Sequence, residues 1–161
     1  EGDKMSEFAG CPGSKMFDFR AKEETQEATQ TADIKSQLRQ WPIQLHLISP
    51  QAPYYQGADV LLVADCVAYA LGSFHTDYLK GKSIAIACPK LDEGQDTYVE
   101  KIKSWLEDAK INTLTVLIMQ VPCCMGLLNL AKQAAQASER KVPIKSVVVS
   151  LQGEILSENW V

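Results

Sequence analysis

Long apolar runs and clusters of positive charge are both missing from this sequence. No apolar segment is long enough to span a bilayer as a helix, and no signal peptide opens the chain. The formal net charge is −4, and no run of lysine or arginine occurs. We therefore expect a cytoplasmic protein whose partners are neither a membrane nor a nucleic acid.

Glycine-rich nucleotide loops, a serine nucleophile motif and paired zinc ligands are also lacking. The sequence contains no G-x-G-x-x-G, no G-x-x-x-x-G-K-[ST] and no G-x-S-x-G. Histidine occurs only twice, and no C-x-x-C pair is present. The five cysteines are an odd number and too sparse for a disulfide scaffold. Reduced thiols, free to act as ligands or redox groups, are the better interpretation.

Apolar segments do recur through the chain and alternate with amphipathic ones. It has 161 residues, of which 46% are hydrophobic, enough for one domain with its own core. The run ADVLLVADC (58–66) is typical of a strand covered on both faces of a parallel sheet. We predict strands in residues 43–48, 58–66, 82–89, 112–121 and 144–151, and the last of these is expected to be the final strand. We predict helices in residues 24–40, 69–81 and 124–138. A further helix is predicted around Val99, Ile102, Leu106 and Ala109.

This alternation predicts an α/β fold. We expect a mostly parallel sheet of about five strands flanked by helices, flavodoxin-like or Rossmann-like, with the flavodoxin-like strand order as the first choice. Residues 1–23 are expected to form an N-terminal arm that carries Cys11, and residues 24–161 a single α/β domain.

Four of the cysteines follow predicted strands. Cys66 ends the strand ADVLLVADC, Cys88 ends KSIAIAC, and Cys123 and Cys124 follow NTLTVLIMQVP. The carboxyl ends of parallel strands meet at one edge of the sheet, where such folds bind their ligands. The topology therefore directs these four thiols to one place, and Cys11 on its arm is expected to reach over and close the site.

The residues beside the cysteines fit a ligand role. Cys11 and Cys88 each precede a proline and Cys123 follows one; a Cys-Pro step is common where a thiolate holds an iron–sulfur cluster. Cys123 and Cys124 are predicted to open a helix, whose N–H groups and dipole favour the thiolate. The nearby charges of Asp65, Lys90 and Asp92 are most simply loop charges in water; the alternative is that they support the ligands and tune a bound cluster.

Other roles for these cysteines stay open at this point. A cysteine at a strand end is often a buried core residue. A disulfide between Cys123 and Cys124 would be strained. Either of these two could be the low-pKa nucleophile of a thiol-based redox enzyme or sensor. A zinc-stabilised interaction domain is the third alternative.

Several ordered motifs resemble one family. GCPGS (10–14), LRQWPIQLHLISPQAPYYQGADVLLVADC (38–66), FHTDYLKGKSIAIACPKLD (74–92) and VPCCMGL (121–127) resemble the C-terminal domain of anaerobe 4Fe–4S ferredoxin-like iron–sulfur proteins. The resemblance runs from about Cys11 to Glu154. Members usually carry a two-cluster ferredoxin domain ahead of GCPGS, and this sequence has no C-x-x-C-x-x-C run.

The resemblance implies a redox role rather than a particular substrate. We expect an iron–sulfur protein of anaerobic metabolism, more an electron-transfer protein than a stand-alone enzyme. The expected cofactor is a 4Fe–4S cluster, or an unusual cluster that uses five cysteines, held by Cys11, Cys66, Cys88, Cys123 and Cys124, with one of the last two as the spare if four suffice. The expected partner is a redox protein such as a ferredoxin or an oxidoreductase, and a homodimer is compatible with the sequence.

Overall fold

The structure of the protein is a computed structural model that describes residues 15–20 and 34–161. Its centre is a five-stranded sheet with the order β4-β3-β5-β6-β7, and a separate two-stranded sheet pairs β1 with β2. The strands are β1 (Phe17–Asp18), β2 (Gln40–Trp41), β3 (Asp59–Ala64), β4 (Ser83–Ala87), β5 (Thr113–Met119), β6 (Ile144–Val149) and β7 (Ile155–Trp160).

The central sheet is parallel from β4 to β6, and only β7 runs antiparallel to its neighbour. Counted from β3, the strand order is 2-1-3-4-5, which is the order of flavodoxin-like folds. β3 and β5 are buried along nearly their whole length, as expected for strands covered on both faces. The predicted α/β fold with a mostly parallel five-stranded sheet is therefore confirmed.

In the described part of the chain, three α-helices accompany the sheet: α1 (Val67–Ala70), α2 (Gln95–Glu107) and α3 (Met125–Ala137). A π-helical segment, Phe74–Leu79, lies between α1 and β4. Helix α2 buries a stripe at helical spacing that includes Tyr98, Ile102 and Trp105, and it packs against α3. The chain reverses its direction across the sheet after β4, so right-handed connections place α1 and α2 on opposite faces.

Two predictions near the start of the domain are wrong. Residues 34–39 are not helical, although a helix was expected over 24–40; residues 24–33 of that prediction lie outside the described residues. Ile34 is 73% exposed, so this polar segment has no apolar stripe with which to pack as a helix.

The predicted strand at 43–48 is a turn with a single bridge from Gln44 to Ile86. The Lys101 ammonium explains the difference, because Nζ donates to the carbonyls of Leu45, His46 and Ile48 at 2.8, 2.7 and 2.9 Å. Those carbonyls are thus satisfied by one charged side chain rather than by a neighbouring strand.

The first described residues are paired with the domain. β1 is antiparallel to β2, and the chain that follows β2 runs parallel to β4 at Gln44. Lys15 and Met16 therefore lead into β1 from the end of the sheet at which β4 finishes. Cys11 lies outside the described residues.

Strand β7 was not predicted, since ILSENW lacks the apolar alternation of a half-buried strand. Five of its six residues are exposed because it is the edge of the sheet. Within the described part of the chain, no helix combines the length and the apolar character needed to cross a membrane.

Candidate functional site: cysteines at the carboxyl edge of the sheet

The loops that follow the four parallel strands form one edge of the domain. We call this the carboxyl edge and define it as residues 65–69, 88–96, 120–125 and 150–154. From β3 the chain moves to one side of the sheet, and from β5 it moves to the other. Such a reversal opens the crevice in which doubly wound sheets bind their ligands.

The structure places four of the five predicted ligands on this edge. Cys66 follows β3 and Cys123 and Cys124 follow β5, so these three flank the crevice. Cys88 comes directly after β4, the next strand along. All four thiols are free of disulfides. The topological prediction that they share an edge is confirmed, and the strained Cys123–Cys124 disulfide is not formed.

Cys66 and Cys123 are the exposed thiols of the group. Cys66 begins α1, two residues after β3 ends, and the N–H of the preceding Asp65 donates to the Ala87 carbonyl at 3.2 Å. That bond ties the loop after β3 to the end of β4, immediately before Cys88. The two loops are therefore held side by side at the point where each presents a cysteine.

Cys124 differs from its neighbour Cys123 in burial. Pro122–Cys124 is a 3₁₀ turn, Cys124 itself precedes α3, and its side chain is 7% exposed. Burial raises the pKa of the Cys124 thiol, and its proximity to Cys123 and Cys66 acts in the same direction. The raised pKa of Cys124 runs against the expectation that the helix start favours its thiolate, and burial is the largest cause.

A close contact connects the loop of Cys88 with the helix that follows the doublet. A Cβ atom added at Gly126 would lie 3.1 Å from the Pro89 Cβ, tighter than ordinary side-chain packing. Gly126 is in the first turn of α3, and Pro89 follows Cys88. The absence of a side chain at residue 126 thus lets the Cys88 loop pack onto the turn that carries Cys123 and Cys124.

Asp92 organises the loop of Cys88. Its Oδ2 accepts hydrogen bonds from the Cys88 N–H at 2.9 Å, the Tyr98 hydroxyl at 2.5 Å and Gln44 Nε2 at 3.2 Å. The Asp92 N–H donates back to the Cys88 carbonyl at 2.9 Å. Asp92 is therefore a positioning residue, not the solvated loop charge expected from the sequence, where only its spacing from Cys88 hinted at the role.

The hydrogen bonds and charges of this loop also shift pKa values. Burial and the hydrogen bond to Asp92 raise the pKa of the Tyr98 hydroxyl. Burial raises the pKa of Asp65, and the nearby Asp92 carboxylate adds to the increase. Tyr98 therefore keeps its proton and donates to Asp92 throughout the neutral range.

The four thiols are not arranged in advance as a metal site. Among residues 15–20 and 34–161, no three His, Cys, Asp or Glu side chains stand close enough together to hold a metal ion. The two histidines have partners of their own: His46 Nε2 lies 2.6 Å from the Glu93 carbonyl, and His75 Nδ1 accepts the Gln37 N–H at 3.1 Å.

Alkylation of the metal-free protein should distinguish the exposed thiols from the buried one by their reaction rates. At pH 7.5 we expect iodoacetamide to modify Cys66 and Cys123 at least about tenfold faster than Cys124, whose thiol is buried and has a raised pKa. Raising the pH should increase the rate at Cys124, because more of it becomes thiolate. Mass spectrometry of peptides over time measures all three rates. Equal rates in the folded protein, with urea-unfolded protein as the reference, would contradict the burial argument.

Replacing Asp92 should loosen the Cys88 loop. We expect D92A to lower the free energy of unfolding by about 1–3 kcal/mol, since it deprives the Cys88 N–H and the Tyr98 hydroxyl of their acceptor. D92N keeps one acceptor oxygen and should lose less. Urea unfolding gives both values. E93A, which removes the neighbouring exposed carboxylate, should change stability by less than about 0.5 kcal/mol; equal losses in D92A and E93A would refute the role.

Comparison with known proteins agrees with the fold. The family model described as a Rossmann-like domain matches residues 52–161, more than half of the chain, and the protein belongs to this family. An uncharacterized protein of Archaeoglobus fulgidus is 27% identical over 121 residues, which cover 74% of this chain and 83% of that protein. No solved structure matches the chain.

Proposed function

We propose that this protein binds an iron–sulfur cluster at the carboxyl edge and transfers electrons in anaerobic metabolism. The observation that carries the proposal is the convergence of Cys66, Cys88, Cys123 and Cys124 on the ends of three adjacent parallel strands. These residues are up to 58 positions apart in the sequence, so the fold, not a local motif, brings them to one edge.

The donor chemistry of the edge fits a thiolate-bound cluster. Such clusters are held by cysteine sulfurs and accept ligands from scattered positions. The four thiols are reduced, and three of them are partly or fully exposed. The ordered motifs GCPGS, ADC, CPKLD and VPCC, which are similar to those of ferredoxin-like iron–sulfur proteins, support the same assignment.

Cys11 supplies a further ligand in this proposal. Lys15 is the first described residue, and it leads into β1 on the side of the carboxyl edge. Three residues lie between Cys11 and Lys15, so their Cα atoms can be at most about 13 Å apart. With Cys11 the edge has five thiols, enough for a 4Fe–4S cluster with one to spare or for a cluster that uses all five.

The chain's own residues hold and orient the ligands. Asp92 fixes the backbone of Cys88, and the contact between Gly126 and Pro89 keeps that loop against the turn of the cysteine doublet. A bound cluster would supply a centre that accepts and releases single electrons. The exposure of Cys66 and Cys123 leaves a short route from such a centre to a partner in the cytoplasm, such as a ferredoxin or an oxidoreductase.

The test is anaerobic purification followed by a visible spectrum and assays of iron and acid-labile sulfide on one sample. We expect broad absorption near about 400 nm with matched iron and sulfide, the signature of thiolate-bound clusters. A colourless protein with neither element after attempted reconstitution would overturn the proposal. Tightly bound zinc would then favour the interaction domain, and one rapidly alkylated thiol the redox enzyme or sensor.

A further inference from the structure

Large apolar side chains are exposed on every loop of the carboxyl edge. Tyr69 is 94% exposed, Leu91 79%, Leu151 64% and Met125 46%. Each follows a different parallel strand: Tyr69 comes after β3, Leu91 after β4, Met125 after β5 and Leu151 after β6. Three of these side chains lie on loops that also carry a cysteine, so the edge offers apolar contacts beside its thiols.

The same edge carries a negative charge. It holds five carboxylates, Asp65, Asp92, Glu93, Asp96 and Glu154, and Lys90 is the one basic residue within its ranges. Its formal charge of −4 equals the formal net charge of the whole chain. The described residues outside the edge carry 13 lysines and arginines against 8 aspartates and glutamates, a formal charge of +5, so the edge is an acidic region on an otherwise basic part of the chain.

We propose that the carboxyl edge is the docking face for an electron-transfer protein that presents basic side chains around an apolar contact. The proposal rests on the proposed function and names its partner class. Charge complementarity selects a basic partner, because an acidic face repels acidic proteins and anionic membranes and speeds encounter with cationic ones. The apolar side chains then supply the short-range contact of a small, transient redox interface.

The test titrates the ¹⁵N-labelled full-length protein with a basic cytochrome c and records amide shifts. The matched probe is the same cytochrome c after succinylation of its lysines, which reverses its charge and keeps its shape. We expect shifts at Tyr69, Leu91 and Leu151, at least about tenfold weaker affinity for the succinylated probe, and a similar loss between 20 and 200 mM salt. Equal affinity for both probes would overturn the proposal.

Two pairs of variants show whether the edge or the overall charge is responsible. E93Q/E154Q removes two exposed carboxylates of the edge, and D77N/E139Q removes two exposed ones from segments that precede β4 and β6. We expect the first pair to weaken binding by about threefold or more and the second by little. Equal weakening would mean nonspecific attraction and overturn the proposal.

The apolar contribution has its own variants. We expect Y69S to weaken binding to the basic cytochrome c severalfold and I34S, a change at an equally apolar and 73% exposed position, to leave it unchanged. Sedimentation of the protein alone adds a separate check. A dimer that dissociates on Y69S/L91S substitution would assign the edge to a second copy of the chain and overturn the proposal.

The design separates this proposal from the function on which it rests. Titrations are run on metal-free and on cluster-loaded protein. If the basic probe binds at the edge but no preparation contains iron or sulfide, the proposed function is wrong and the acidic docking face remains supported. A loaded cluster with no binding of the basic probe would remove the docking proposal alone.

Discussion

Serine in place of Cys66 or Cys123 is expected to lower the iron and sulfide content of anaerobically purified protein by at least about fivefold. Both thiols are exposed at the crevice between the ends of β3 and β5. A serine hydroxyl is nearly isosteric with a thiol but ionises far less readily, so it is a poor ligand for iron. The stability of the metal-free protein should change by less than about 0.5 kcal/mol, because neither residue is buried.

The control for the cysteine variants is M125L. Met125 follows the doublet, is 46% exposed and carries sulfur without an ionisable thiol, so M125L should keep the full iron and sulfide content. Serine variants at Cys11, Cys88 and Cys124 complete the series, and one that keeps its cluster identifies the spare cysteine. Retention of iron and sulfide in every single-serine variant would refute the ligand assignment.

Alanine at Gly153 is expected to cost about 2–4 kcal/mol of stability. Gly153 lies in the turn between β6 and β7 with φ +87°, a conformation that side chains disfavour. A Cβ atom there would also lie 2.3 Å from the carbonyl oxygen of Ala70, at the end of α1. The turn must therefore move away from α1, which begins at the crevice beside Cys66. Urea unfolding measures the loss.

Gly57 provides the matched comparison for Gly153. It has φ +62°, but a Cβ atom added there has no neighbour within 4 Å. G57A should cost only about 1–2 kcal/mol, the penalty of the backbone conformation alone. The difference between the two variants measures the clash with Ala70. Equal losses would show that the turn of Gly153 moves aside freely and that its packing on α1 contributes little.

The parts of the fold that the sequence predicts are those whose burial is continuous or periodic. Strands β3, β4 and β5 are apolar runs because neighbours cover both of their faces. Helices α2 and α3 show their buried stripes directly. The edge strand β7 buries too little on either face to leave a pattern, so its sequence does not distinguish it from a loop.

Contacts between distant residues explain the remaining differences. The alternation of Ile43, Leu45 and Leu47 is that of a strand. However, Lys101, 56 residues after Leu45, donates hydrogen bonds to three carbonyls of this segment, which are then not paired with a neighbouring strand. Asp92 likewise gains its role through Tyr98 and Gln44, contacts that no local spacing reveals. Cys66, Cys88, Cys123 and Cys124 lie at the predicted edge because topology alone decides where parallel strands end. Their role as ligands stays a prediction.

The directions of β1 and β7, the first and last described strands, decide at which end of the sheet an attached domain would join this one. The chain enters β1 from the side of the carboxyl edge, whereas β7 finishes at the opposite end, where the Val161 N–H donates to the Ile144 carbonyl at 2.9 Å. Lys15 therefore lies toward the end of the sheet that carries the cysteines, whereas Val161 lies at the other end. A module fused after Val161 would be attached at the end of the sheet opposite to the cysteines and would leave them accessible.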